Sequence, residues 1–170
     1  FKDCTNLKLL DLGGAAVTDD GLAHFAQCEL LRSLRLSCPK VSDAGVAHFK
    51  DCLLLQELSL FQMDVTDAGM AHLAGRTNLT RLDLTATKVT DAGMIHFKDC
   101  KKLSQLNLSR TAVGDAGLAQ FKDCKTLGYL YLDDTKITDA GLAYFKDCEL
   151  TYLYLARTPV TGRGLAALRS

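Results

Sequence analysis

Tryptophan is absent from the 170-residue sequence, only two prolines occur, and the formal net charge is zero. Balanced charge argues against a dedicated nucleic-acid or membrane-surface binder, since both usually carry a clear basic excess. No run of about eighteen uncharged apolar residues occurs, so no transmembrane helix is expected. The first residues, FKDCTNLKLL, lack the charged-then-apolar order of a secretory leader. Enzyme signatures are missing as well: no nucleophile-elbow GxSxG, no Walker phosphate loop, no HExxH and no Rossmann fingerprint. The two glycines of DLGGAA, Gly13 and Gly14, fall in a repeated turn and no phosphate loop follows them. The expectation is a chain without catalytic residues, cofactor or metal.

Seven cysteines suggest a disulfide set until their positions are compared. Cys4, Cys28, Cys52, Cys100, Cys124 and Cys148 form one series with a step of 24 that skips Arg76, and Cys38 lies outside it. An odd total leaves at least one thiol unpaired within the chain. Phe1, Phe25, Phe49, Leu73, Phe97, Phe121 and Phe145 keep the same step. The chain reads FKDCxxLxxLxLxxTxVTDAGLAH with drift, and self-similarity at such a period signals a solenoid. The last unit drops one residue between Cys148 and Leu150. The first starts in mid-pattern, so residues 1–170 are read as a single repeat domain taken from a longer array or protein.

Each unit has two parts. LxxLxL, as in Leu79, Leu82 and Leu84, alternates at its end with period two, which predicts a short strand. VTDAGLAHF, as in Val89 to Phe97 with Met for Leu, predicts a short helix. Thr90 caps it, Asp91 suits its positive N-terminal end, and Met94 and Phe97 share a face. The glycine column (Gly21, Gly45, Gly69, Gly93, Gly117, Gly141) costs helix propensity of roughly 1 kcal/mol against Ala. Its recurrence predicts close approach to a neighbouring backbone. One strand and one helix per unit predict an α/β right-handed solenoid of seven repeats, with a parallel sheet inside and helices outside.

These residues carry a family resemblance. LxxLxLxxTxV resembles the leucine-rich repeat signature LxxLxLxxNxL over essentially the whole chain. The cysteine before the first Leu, with TDAGLA downstream, is similar to two subtypes: the cysteine-containing repeats of F-box substrate receptors, and the bacterial repeats abundant in planctomycetes and sometimes attached to protein kinases. The unit length and strict spacing are closer to the bacterial group. The resemblance implies an open arc used for protein–protein interaction. One departure stands out. The family's Asn or Cys ladder position holds Ala15, Pro39, Met63, Thr87, Thr111, Thr135 and Thr158. Asn there bonds backbone groups of adjacent coils, and Thr does so more weakly. A looser turn column is therefore expected in the first three repeats.

Residues 129–134, YLYLDD, send leucines to one face and tyrosines to the other. In the implied fold the variable positions line the concave face in four columns. The first is Leu9, Ser33, Glu57, Arg81, Gln105, Tyr129, Tyr152; the second is Asp11, Arg35, Ser59, Asp83, Asn107, Tyr131, Tyr154. The third holds Phe61 and Asp133, and the fourth holds Cys38, Arg110, Asp134 and Arg157. Neighbouring strands lie about 4.8 Å apart, so the four tyrosines are expected to touch. Tyrosines rimmed by Asp133, Asp134, Arg110 and Arg157 resemble an interface hot spot. Two other readings stay open: cross-strand stacking that stabilises the last coils, and a surface covered by another segment of the protein.

Other columns invite chemistry and have plainer readings. His24, His48, His72 and His96 recur, but helices pack roughly 8–10 Å apart, too wide for shared metal ligation. The cysteines lack the close pairs of zinc sites, and Arg76 interrupts them, so they read as buried reduced thiols. That favours a reducing, cytoplasmic compartment. Cys38 reads as the thiol most exposed. The Lys-Asp pairs (Lys2-Asp3, Lys50-Asp51, Lys98-Asp99, Lys122-Asp123, Lys146-Asp147) read as a solvated face. Thr18, Ser42, Thr66, Thr90, Thr138 and Thr161 read as helix caps, with Gly114 breaking the column.

The functional expectation is a non-enzymatic module binding a protein on its concave face. Tyr129, Tyr131, Tyr152 and Tyr154 are the anchors, Asp133, Asp134, Arg110 and Arg157 the rim, and Phe61 a lone second candidate. Alternatives are a structural spacer that self-associates weakly through the edge of the strand Tyr152–Leu155, and a regulatory domain of a larger signalling enzyme such as a kinase.

Overall fold

A computed structural model describes residues 4–168. Phe1 and the Lys2-Asp3 pair lie outside this range. Seven strands form one parallel sheet in chain order: β1 (Leu9–Gly13), β2 (Ser33–Ser37), β3 (Glu57–Ser59), β4 (Arg81–Asp83), β5 (Gln105–Asn107), β6 (Tyr129–Tyr131) and β7 (Tyr152–Tyr154). The terminal strand is thus one residue shorter than expected. Between and after them run the short helices α1 (Asp19–Leu22), α2 (Asp43–Ala47), α3 (Asp67–His72), α4 (Asp91–Met94), α5 (Asp115–Leu118), α6 (Asp139–Leu142) and α7 (Gly162–Ala167). In α1, α4, α5 and α6 a tighter 3₁₀ turn completes the helix up to the recurring Phe. Each strand–helix–strand connection is the right-handed crossover that parallel strands require.

The leucines of LxxLxL point into a continuous core. Leu58, Leu82, Leu106 and Leu130 are buried, as are Met94, Phe97 and their equivalents in the helical segments from α1 to α6, whereas Leu165 of α7 is exposed. Burial falls off at both ends, where Leu12 and Val17 in the first coil and Leu153, Leu155 and Val160 in the last are only partly covered. A coil in the middle has neighbours on two sides and a terminal coil on one.

From Cys28 on, the cysteine column lies in or against this core, and each of its thiols donates to the carbonyl one coil back, as Cys52 to Cys28 (3.4 Å) and Cys124 to Cys100 (3.3 Å). Cys4, at the start of the column, is exposed, contrary to expectation. Burial pushes the Cys52 thiol up to about 11 and the Cys100 thiol to about 12, so these groups stay protonated and unreactive. Arg76 occupies the same column and is buried too. Its Nη2 donates to the carbonyls of Phe49 (2.8 Å) and Lys50 (2.7 Å), at the C-terminal end of the preceding coil's helical segment, where a cation is favoured. Its Nε has no hydrogen-bond partner among the described residues.

Cys38 does not behave as expected. It is fully buried, and its Sγ lies 3.2 Å from the carbonyl of Leu12. Pro39 is the reason. At the matching position of five other coils, Gln62, Ala86, Arg110, Asp134 and Arg157 take a positive φ of 53–58°, and Gly14 takes 73°. That left-handed residue aims its N–H at the following coil: Gln62 to Thr85 (2.9 Å), Ala86 to Ser109 (2.9 Å), Arg110 to Asp133 (2.7 Å). A residue before proline is pushed towards extended backbone. Cys38 is absent from the positive-φ set, and its side chain turns inward.

The threonine ladder also differs from expectation. Thr87, Thr111, Thr135 and Thr158 donate to Leu84, Leu108, Leu132 and Leu155 at 2.6–2.7 Å, which are carbonyls of their own coils and not of adjacent ones. Met63 lacks the hydroxyl yet keeps the same backbone turn and is buried. Among the first three coils, only that of Pro39 departs from the left-handed turn.

Candidate functional site

One edge of every helix carries a bond that joins coils. Asp43 Oδ1 accepts from the Thr66 N–H (2.8 Å) and Oδ2 from its hydroxyl (2.6 Å), 23 residues on. Asp19 does the same with Ser42, Asp67 with Thr90, Asp115 with Thr138 and Asp139 with Thr161. The hydroxyl in turn accepts from the backbone two residues later, capping its own helix, in α2, α3, α4, α6 and α7. Gly114 leaves Asp91 with a backbone donor alone. Thr18 makes no cap bond, contrary to expectation, and Asp19 is the first carboxylate of the series.

The carboxylate ladder also explains the glycine column. A Cβ on Gly69 would stand 2.4 Å from Asp43 Oδ1, and one on Gly117 would stand 2.6 Å from Asp91 Oδ1. The first obstacle is thus the preceding coil's carboxylate, with its Cα farther off at 3.5 Å and 3.0 Å; Gly21, in the first coil, meets Val17 instead at 2.9 Å. Burial pushes the Asp19 carboxyl up, but hydrogen bonds from Ser42 and Gly45 outweigh it and leave the group below its ordinary value. The Thr161 hydroxyl bond lowers Asp139 in the same way.

The concave face is arranged differently. Strand pairing places Leu9, Ser33, Glu57, Arg81, Gln105, Tyr129 and Tyr152 in one row and Asp11, Arg35, Ser59, Asp83, Asn107, Tyr131 and Tyr154 in the next, as the spacing implies. In the N-terminal half, Glu57 accepts from Arg35 (2.9 Å), Arg81 (3.3 Å) and the Ser33 hydroxyl (3.2 Å). The Arg35 bond is the main cause holding the Glu57 carboxyl below its usual range. Arg35 also reaches Asp11 at 3.8 Å. Arg35, Glu57, Arg81, Asp83 and Gln105 line an open cavity of about 260 Å³. Sequence reasoning did not single out this cluster, although the alternation of Glu57 and Arg81 down one column was its visible signal.

In the C-terminal half the tyrosines stack in two pairs. Tyr129 and Tyr152 have ring centroids 4.9 Å apart at 12°, and Tyr131 and Tyr154 are 4.7 Å apart at 14°. Stacking leaves them open: Tyr129, Tyr152 and Tyr154 remain 40%, 46% and 44% exposed. Tyr131 is more covered, and desolvation followed by its tyrosine neighbours pushes its hydroxyl up. The rim is partly committed to the scaffold. Asp133 accepts from the Ala156 N–H (2.6 Å), and Arg157 grips Asp134 with two nitrogens, which holds that carboxyl below its usual range. Arg110 is exposed and has no ion pair among the described residues. Phe61 stands apart from the tyrosines, on the third coil, and is 36% exposed.

The histidine column lies on the convex helices, with His24 and His72 exposed and His48 and His96 half-buried. Among the described residues no three His, Cys, Asp or Glu side chains gather as a metal site, and no helix is long and apolar enough to cross a membrane.

Comparison with known proteins fits this architecture. A sequence profile described as "BspA type Leucine rich repeat region (6 copies)" matches residues 1–104, and one described as "Leucine rich repeat" matches residues 77–137. No curated protein is significantly similar. Among solved structures, an internalin, InlF, from Listeria monocytogenes has a TM-score of 0.70 at 21% identity, with 99% of this chain and 54% of that one covered. Internalin C2 from the same organism has a TM-score of 0.74 at 23% identity, with 94% and 64% covered. A plant peptide hormone receptor, RGFR1, in complex with RGF2, has a TM-score of 0.60 at 17% identity, with 100% and 35% covered. These identities establish likeness of fold, and the chain spans less than two thirds of each of these proteins. With its seven-stranded parallel sheet, its recurring LxxLxL strands and a repeat profile matched over more than half its length, the chain belongs to the leucine-rich repeat family.

Proposed function

We propose that the chain is a non-enzymatic protein-interaction module that engages a protein partner on its concave face, anchored by Tyr129, Tyr131, Tyr152 and Tyr154. The observation that carries this reading is the exposure of the two stacked pairs side by side on a face that is mostly polar elsewhere. Exposed aromatic clusters of this kind are enriched in binding hot spots. Prior stacking fixes the ring rotamers, so little side-chain entropy remains to be lost on binding. Arg110 supplies a cation for a partner carboxylate, while Asp133, Asp134 and Arg157 hold the turn beside the rings. Phe61 is a second, separate contact. The receptor–peptide complex among the structural relatives supports a protein ligand for this fold.

The charged N-terminal half is already satisfied internally through Glu57, so the tyrosines are the better anchor. Self-association has one observation in its favour, since β7 pairs on one side only. Against it, Gly162 stands where a carboxylate would be needed to bond a following coil. Affinity capture from the source cell's lysate tests the proposal, comparing the native chain with one carrying Tyr129→Ala, Tyr131→Ala, Tyr152→Ala and Tyr154→Ala. Circular dichroism checks that both fold. A protein retained by the native chain alone supports the reading. Identical retention by both removes the tyrosines from recognition.

A further inference from the structure

A second surface lies on the edge where each helix returns to the next strand. The two positions after the cysteine column are polar in most coils: Thr5-Asn6, Thr77-Asn78, Lys101-Lys102, Lys125-Thr126. In two adjacent coils they are Glu29-Leu30 and Leu53-Leu54. These leucines lie outside the LxxLxL positions and add nothing to the core. Leu30, Leu53 and Leu54 are 42%, 54% and 43% exposed. Three exposed leucines at matching positions of two neighbouring coils concentrate apolar surface on this edge, the kind of feature that marks an interaction site.

The same edge becomes basic further along. Lys101, Lys102 and Lys125 occupy the equivalent positions two and three coils beyond Leu53-Leu54, and all three are exposed. Lys102 reaches back to the Asn78 side chain at 2.8 Å, so neighbouring side chains along this edge are within contact of one another. Lys125 is loosely held by Asp147 at 3.8 Å, and Lys101 has no ion pair among the described residues. Apolar surface followed, after one intervening coil, by Lys101 and Lys102, which have no ion pair among the described residues, and then by the loosely paired Lys125 defines what fits it. The complement is a segment with an apolar stripe that continues into carboxylates on the same side.

We infer that this edge docks an acidic amphipathic helix of a partner protein, with its apolar residues on Leu30, Leu53 and Leu54 and its carboxylates on Lys101, Lys102 and Lys125. Leu30 and Lys102 are three coils apart. The full footprint to Lys125 is four coils, about 19 Å at strand spacing and more towards the helices, so a helix of roughly 13–24 residues spans it. A protein segment fits better than an anionic membrane. Glu29, Asp51, Asp99 and Asp123 are exposed on or beside this edge and repel an anionic sheet, while a helix places its few carboxylates between them. The edge is separate from the concave face, so both surfaces can be occupied together.

The test uses a fluorescein-labelled synthetic helix of about 16 residues. It carries one i, i+4 stripe that is leucine in one half and glutamate in the other, and it is made in both chain polarities. Anisotropy is read against the native chain, Leu53→Ser with Leu54→Ser, Lys101→Glu with Lys102→Glu, and Tyr129→Ala with Tyr152→Ala. Circular dichroism confirms folding, and Leu30→Ser replaces the leucine pair should that variant fail to fold. Saturable binding is expected with the native chain. It should weaken about tenfold in each edge variant, fall with salt, and stay unchanged in the tyrosine variant. The inference is overturned by absence of saturable binding to the native chain, or by edge variants that bind like it. It is also overturned if phosphatidylserine vesicles bind with the same residue dependence, since the edge is then a lipid surface.

Discussion

The helix edge and the concave face of this solenoid follow opposite rules. Along the helix edge, one bond recurs from coil to coil: a carboxylate accepts from the Thr or Ser of the next coil at nearly constant distance. Across the concave face no two rows repeat until the tyrosines do, in the last two coils. Repetition of the first kind is what a nearest-neighbour array needs to hold itself together. Departure from repetition, on a face the core does not require, is where recognition is free to evolve.

Substitutions on each side sharpen that contrast. The largest effect is expected from Arg76→Ala, at the one position where the buried column changes chemistry. It leaves a cavity and strips the Lys50 and Ala74 carbonyls of their donor, while Phe49 keeps only the Cys52 N–H, costing about 3–5 kcal/mol. A urea midpoint measures it. Next comes Asp67→Ala, which removes the acceptor for both Thr90 groups and a negative charge from a helix N-terminus. Hydrogen bonds to charged groups contribute about 1.5–3 kcal/mol each, and because Asp67 and Thr90 are only half-buried, water compensates part of the loss, which is about 2–4 kcal/mol for the pair together.

The opposite sign is expected for Gly114→Thr, which restores the missing hydroxyl. The backbone there is extended at φ −120°, and the nearest atoms to a new Cβ stand at 3.5 Å or more. A gain of about 1 kcal/mol is expected, read as a higher melting temperature. The smallest effect is the pH dependence of the ladder. Asp19 titrates below its unfolded value of about 3.9. The unfolded chain then binds more protons in the window between the two values. The contribution of Asp19 is complete above the unfolded pKa and is lost as pH falls through the folded one. Melting temperature should drop below about pH 4, and less steeply in Asp19→Asn.

The period of 24 made the strand register readable down to individual rows, and with it the contact between Tyr129 and Tyr152. Periodicity identifies what recurs but not which neighbour it bonds. Thr90 reads as a helix cap, and it is one, yet its hydroxyl also donates across 23 residues to Asp67, a contact with no local signature. Thr87 bonds inside its own coil for the same reason. Column position alone puts Cys38 on the concave face, but the proline after it turns the thiol inward. The Arg35–Glu57–Arg81 cluster is legible in the sequence as charges that alternate along two adjacent columns.

Equilibrium denaturation of two variants, each compared with the native chain, tests the division between scaffold and recognition face most directly. One carries Asp67→Ala; the other carries all four tyrosine-to-alanine changes. Cross-strand pairs contribute roughly 0.2–1 kcal/mol each, so the two stacks together account for at most about 2 kcal/mol. The account predicts that the single aspartate change lowers the unfolding midpoint more than the four tyrosine changes combined. A larger loss from the tyrosines would contradict it, and would make the stacked rings part of the framework.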